Sequence, residues 1–189
     1  RAHLLAILAY GLLALKKFKP TSKRFTTYVP GNGVDDPPLT WNLWWTSYAL
    51  QELGQNPFDG TYLFHPIGIN LAYYTLTITN GLLSIPLQAV FGLVLASNLV
   101  LLSSFVLGAY GAFLLSSSLL GRRGVRAGHH RVLVCSFVAG LLYAFASSKL
   151  FYAALGQWNI ASSQWIPFYV LYLFRLGDRP ARWRDAILA

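Results

Sequence analysis

Acidic side chains and cysteine are both scarce in this chain, and charge of either sign is missing from a long central stretch. Six Asp and Glu, one Cys and no Met occur in 189 residues, and only 11% of them are charged. A single cysteine excludes an intrachain disulfide and a metal site built from several thiolates. Cys135 follows Val132-Leu133-Val134 and reads as a small buried hydrophobe. No Gly-rich phosphate loop, no His or Cys metal spacing and no Gly-x-Ser-x-Gly elbow is present. From Thr61 to Leu120 there is no Asp, Glu, Lys or Arg at all. So little charge does not coat a soluble globule. With 55% hydrophobic residues and a mean hydropathy of +0.47, the composition is that of a membrane protein.

What charge there is lies in short basic clusters at the edges of apolar runs, as membrane-flanking residues do. The net charge of +9 therefore points to lipid rather than to nucleic acid, for which no basic groove composition exists. The chain opens at Arg1 inside one apolar run and stops inside what reads as the start of another, residues 185–189, so an N-terminal fragment of a longer protein is expected. Residues 1–15 read as the end of span one, and 98–120, 132–151 and 160–174 as further spans. Residues 16–97 form the first external loop. The expected fold is all-α, a polytopic transmembrane helical bundle with amphipathic juxtamembrane helices in that loop.

The arginines set the topology. Arg122, Arg123, Arg126 and Arg131 flank one turn, and Arg175, Arg179, Arg182 and Arg184 crowd another, so both are expected in the cytoplasm. Residues 98–120 then run inward. Whether the preceding piece, 81–95, crosses as well decides the side of everything before it. Its shortness and Pro86 favour a surface or re-entrant helix, which leaves the loop outside. The basic cluster from Lys16 to Arg24 favours a full crossing, which would put the loop inside.

The stretch from Asn32 to Gly68 holds four of the six acidic residues and three of the six tryptophans. Asp35-Asp36-Pro37-Pro38 starts a helix, since proline suits a first turn and carboxylates suit the positive end of the dipole. Trp41, Trp44, Trp45 and Tyr48 then recur at i, i+3, i+4 and i+7, a stripe expected to lie along the headgroup boundary; an aromatic core face is the other reading. Asp35 and Asp36 either cap the helix or do chemistry. Glu52 and Asp59 read as solvated loop charges, and His129 and His130 as membrane-surface residues. Lys149, the only charge between Arg131 and Arg175, either snorkels to the interface or meets a lipid phosphate.

The segments GNGVDDPPLTWNLWW, NPF, LFHPIGINL, SIPLQAVFG and GQWNIASSQWIPFYVLYLFRL resemble a group of bacterial integral membrane glycosyltransferases, the GT-C superfamily. It includes oligosaccharyltransferase catalytic subunits, protein O-mannosyltransferases and aminoarabinose transferases of lipid A. The resemblance implies eight or more spans in the full protein, a bacterial cytoplasmic-membrane location and an active site on the external face. It implies a polyprenyl-phosphate sugar donor and a loop carboxylate serving as general base or as ligand of a divalent cation, Mg or Mn. Asp35 matches that carboxylate, with Asp36 beside it. Asn32, Trp44, Trp45, His65, Lys149, Trp158 and Asn159 are the expected substrate contacts. Three positions depart from the pattern: Asn32 stands where relatives often carry another Asp, His65 replaces an aromatic, and Gln157 replaces a histidine. A transporter, flippase or accessory subunit of the same fold is the competing expectation. It predicts ionisable groups within spans, and these are nearly absent.

Overall fold

The computed structural model describes residues 2–19, 24–122, 128–177 and 183–188. It is mostly helical, with α1 (Ala2–Lys17), α2 (Asp36–Gln51), α3 (Ile78–Arg122), α4 (His129–Ala144), α5 (Ser147–Ala154), α6 (Trp158–Ala161), α7 (Ile166–Leu176) and α8 (Trp183–Leu188). Two-residue strands β1 (Asp59–Gly60) and β2 (Ile69–Asn70) pair antiparallel between α2 and α3. The chain divides into two compact units. One comprises Arg1–Phe18, Leu102–Leu150 and Ser162–Ala189, the other Lys19–Leu101 and Phe151–Ala161.

In the first unit the helices are packed inside out by the standard of a soluble protein. α1 buries Ala6, Tyr10 and Ala14 while its leucines, among them Leu4, Leu8 and Leu12, are exposed. α4 does the same: Ser136, Gly140 and Ala144, four residues apart, face inward, and Val134, Val138 and Leu142 face outward. Small residues inside and branched aliphatics outside are what lipid favours, because close backbone approach gives the packing and the tails solvate the rest. Cys135 is exposed on α4, not buried as its apolar neighbours suggest, since those neighbours themselves face out.

The contact is tight at Gly140. A Cβ there would strike the Tyr10 hydroxyl and sit 2.5 Å from the Ala109 carbonyl. Tyr10 in turn stacks on Phe137 at 4.8 Å and donates to the Phe137 carbonyl at 3.0 Å. Gly140→Leu is accordingly expected to destabilise the protein by about 3 kcal/mol, the upper part of the usual overpacking range, read as a lowered thermal midpoint in detergent.

Two helical runs, Ile78–Gly121 and His129–Ala154, are long and apolar enough to cross a membrane. The second is interrupted at Phe145 and Ala146. The expected span 160–174 is corrected: it takes in the end of α6, a non-helical stretch at 162–165 and most of α7, which has 11 residues. At 1.5 Å per residue α7 reaches on the order of 17 Å, about half the hydrocarbon thickness. Pro167 at its first turn sets where it starts. Of the topology-setting arginines, Arg123, Arg126, Arg179 and Arg182 lie outside the described residues, as does Lys23 of the first basic cluster.

In the second unit, helix begins again at Ile78, well inside the expected loop 16–97, and has one break there. Gly92 has φ 74 and ψ 169, which no side-chain-bearing residue adopts readily. The piece from Ile78 to Phe91 is on the order of 20 Å long, short of the ~30 Å hydrocarbon core. It is fastened to α2: a Cβ on Gly81 would strike Thr46, and Gln88 Nε2 donates to the Leu43 carbonyl at 2.9 Å. Beyond the break, Asn98 Nδ2 donates to the carbonyls of Phe25 and Tyr28, each at 2.7 Å, and so holds the strand of chain that leads to α2.

Candidate functional site

The site is built at the N-terminus of α2, and two prolines explain its character. An N-cap side chain normally accepts a hydrogen bond from the N–H two or three residues on. After Asp35 those residues are Pro37 and Pro38, which have no N–H. Neither aspartate caps the helix in the expected way. Asp35, at the N-cap, makes no capping bond. Asp36 turns back instead, and its Oδ1 accepts from Gly33 N at 2.7 Å. Asn32 Oδ1 accepts from Val34 N at 3.2 Å, closing the same turn.

Asp35 is left with a different partner. Gln157 Nε2 donates to Asp35 Oδ2 at 2.7 Å, across 122 residues of sequence. Asp35 Oδ1 has no protein partner among the described residues, and the side chain is partly exposed. One oxygen is thus held and the other is open, at the N-terminal end of a 16-residue helix.

Gln157 reaches this position because Gly156 lets the chain turn under the aspartates. Gly156 has φ +79, and a Cβ there would lie 2.6 Å from Asp36 Cβ and 2.9 Å from the Pro30 carbonyl. A Cβ on Gly31 would strike the Asp36 carboxylate from the other side. Gly156→Ala is expected to cost on the order of 1–3 kcal/mol from the left-handed backbone alone. It should also move Gln157 off Asp35, and the thermal midpoint should fall. Gln157 appears in the sequence only as a departure from the family pattern, and neither it nor Gly156 is marked there as a contact of Asp35.

The other candidates are placed as follows. Trp45 is fully buried, stacked on Trp41 at 5.4 Å, and its Nε1 donates to the Pro57 carbonyl at 2.8 Å. It packs with Leu71, Leu76 and Ala49. The stripe is therefore a core face over much of its width, and Trp45 has no surface to offer a substrate. Trp44 is partly buried and stacks on Tyr48 at 4.9 Å, whose hydroxyl meets that of Tyr62 at 3.1 Å. That hydrogen bond holds the Tyr48 phenol above its ordinary pKa. His65 is exposed on the loop between β1 and β2. Trp158 is buried, with Nε1 unpartnered among the described residues, and Asn159 is exposed beside it on α6.

Lys149 belongs to the first unit and turns inward. Its Nζ donates to the Ser104 carbonyl at 3.1 Å and the Ser163 hydroxyl at 3.4 Å, and lies 4.9 Å from the centre of the Phe105 ring. Neither Glu52 nor Asp59 joins the aspartate pair by a side-chain hydrogen bond, and both are exposed.

No three of His, Cys, Asp and Glu converge among the described residues. What the arrangement can do unaided is accept a proton. No protein-family model, no curated protein and no solved structure matches the chain.

Proposed function

We propose that this chain carries the acceptor-activating site of a GT-C type membrane glycosyltransferase, on the external face of a bacterial cytoplasmic membrane. Asp35 is the general base, and the donor is a polyprenyl-phosphate sugar. The observation that supports this reading is the state of the Asp35 carboxylate: denied capping donors by Pro37 and Pro38, oriented by Gln157, and open at Oδ1. A carboxylate so placed takes the proton of an acceptor hydroxyl as its oxygen bonds to the anomeric carbon. The bond from that carbon to the phosphate oxygen breaks, and its electron pair leaves with the polyprenyl phosphate. Asp36 keeps the turn closed. Gln157 holds the base in one orientation, so the acceptor meets Oδ1 in a fixed geometry. The polyprenyl tail stays in lipid while the head group reaches the loop.

The reading requires Asp35 to face outward. Val34 is 68% exposed and next to it, so Val34→Cys in a Cys135→Ser background reports the side directly. A membrane-impermeant maleimide should label it in intact cells expressing the full-length protein. Labelling only after permeabilisation rejects the proposal.

A further inference from the structure

We infer that the loop between β1 and β2, with Tyr73 three residues past β2, is a lipid-inserting tip, seated in the headgroup–acyl boundary of the bilayer through Phe64, Ile67 and Tyr73. The inference rests on the reading that the chain crosses a membrane. The loop is a formed structure. Its base is pinched by the pairs Asp59–Asn70 and Gly60–Ile69, and at Gly60 a Cβ would lie 2.9 Å from the Ile69 carbonyl. Its turn is closed by Ile67 N and Gly68 N, which donate to the Phe64 carbonyl at 3.0 and 3.1 Å, with Phe64 itself at φ 55. A bulky residue held in the left-handed region is strained and persists only where its surroundings impose it.

That backbone presents the wrong side chains for water. Phe64 is 73% exposed, Ile67 91% and Tyr73 93%. Leu63 and Ile69, by contrast, pack on the core around Trp45 and Leu71. The fold thus has a place to bury apolar side chains and leaves these three outside it.

Two observations point to lipid as the occupant. A protein-binding patch has a polar, charged rim, whereas from Thr61 to Leu120 no Asp, Glu, Lys or Arg occurs, and the loop's one carboxylate, Asp59, is at its base, opposite Asn70. The second concerns level. Ile78, the first residue of the apolar piece that runs to the break at Gly92, packs on the same core as Leu63 and Ile69. The loop therefore sits near the depth at which the chain becomes lipid-soluble, where aromatic side chains partition to the headgroups.

The test uses the full chain in phosphatidylcholine–phosphatidylglycerol vesicles, in a Cys135→Ser background. Ile67→Cys is compared with Glu52→Cys, an exposed site at the end of α2, each carrying an environment-sensitive fluorophore. The Ile67 label should emit to the blue of the Glu52 label and be quenched by doxyl groups high on the acyl chain. Its quenching by aqueous iodide should be lower by about twofold or more, as insertion of ~5–10 Å implies. Iodide quenching equal at the two sites, in protein that floats with the vesicles, overturns the tip and leaves the membrane reading standing. Shielding from both iodide and doxyl lipid means that protein covers the loop, which also overturns it. Protein that does not float with the vesicles overturns the tip and the membrane reading together.

Discussion

Asp35→Asn is expected to lower sugar transfer by about 10²- to 10⁴-fold, the usual contribution of a positioned general base, with little change in thermal midpoint. The asparagine oxygen can still accept from Gln157 Nε2, so the 2.7 Å hydrogen bond and the turn around it survive. What is lost is the ability to take a proton at the open oxygen. Asp36→Asn is the informative partner. Its oxygen still accepts from Gly33 N, and among the described residues the wild-type carboxylate makes no other side-chain hydrogen bond, so transfer should stay near the wild-type rate. The measurement is transfer from a polyprenyl-phosphate sugar by the full-length protein in membranes. Equal activity of wild type and Asp35→Asn would remove the base from Asp35 and favour a non-catalytic member of the same fold.

Trp45→Ala is expected to be the most destabilising single change, about 3–5 kcal/mol for truncating a buried tryptophan. Trp45 is fully buried, stacks on Trp41 with ring planes 6° apart, and packs against Leu71 and Leu76. Its removal opens a cavity where the chain between α2 and α3 folds back. It also strands the Pro57 carbonyl, now bonded at 2.8 Å. Trp45→Phe separates the two effects. It keeps most of the volume and loses the hydrogen bond, at a cost of about 1–3 kcal/mol. Thermal unfolding in detergent followed by near-ultraviolet circular dichroism reads both, since the cluster of Trp41, Trp44, Trp45 and Tyr48 dominates that signal. Equal midpoints for Trp45→Ala and wild type would mean that this cluster is not a core.

Both predictions turn on α2, and the sequence announces that helix clearly. Its start at Asp36 follows from the diproline and the preceding Gly-Asn-Gly turn, and its end at Gln51 precedes Gly54, at φ 60. The freedom of the Asp35 carboxylate was also legible, because a proline pair at the donor positions leaves an N-cap oxygen nothing to accept from. Capping by Asp35 could have been discarded on that ground alone. Gln157 was not legible. It lies 122 residues from Asp35, and no local pattern links a glutamine in one loop to an aspartate in another.

What the sequence determined by itself was the character of the elements: apolar helices, a charge-free centre, and one acidic, aromatic insert. Only the tertiary structure decided which way those elements face. It turned Trp45 and Lys149 inward and Leu4, Leu12 and Cys135 outward, and it set Gln157 against Asp35. The physical reason lies in the solvent. In water, an apolar stripe on a helix marks its buried face, but lipid is as apolar as a protein core. There, hydrophobic periodicity stops distinguishing inside from outside, and close packing of small residues and the pairing of polar groups decide instead.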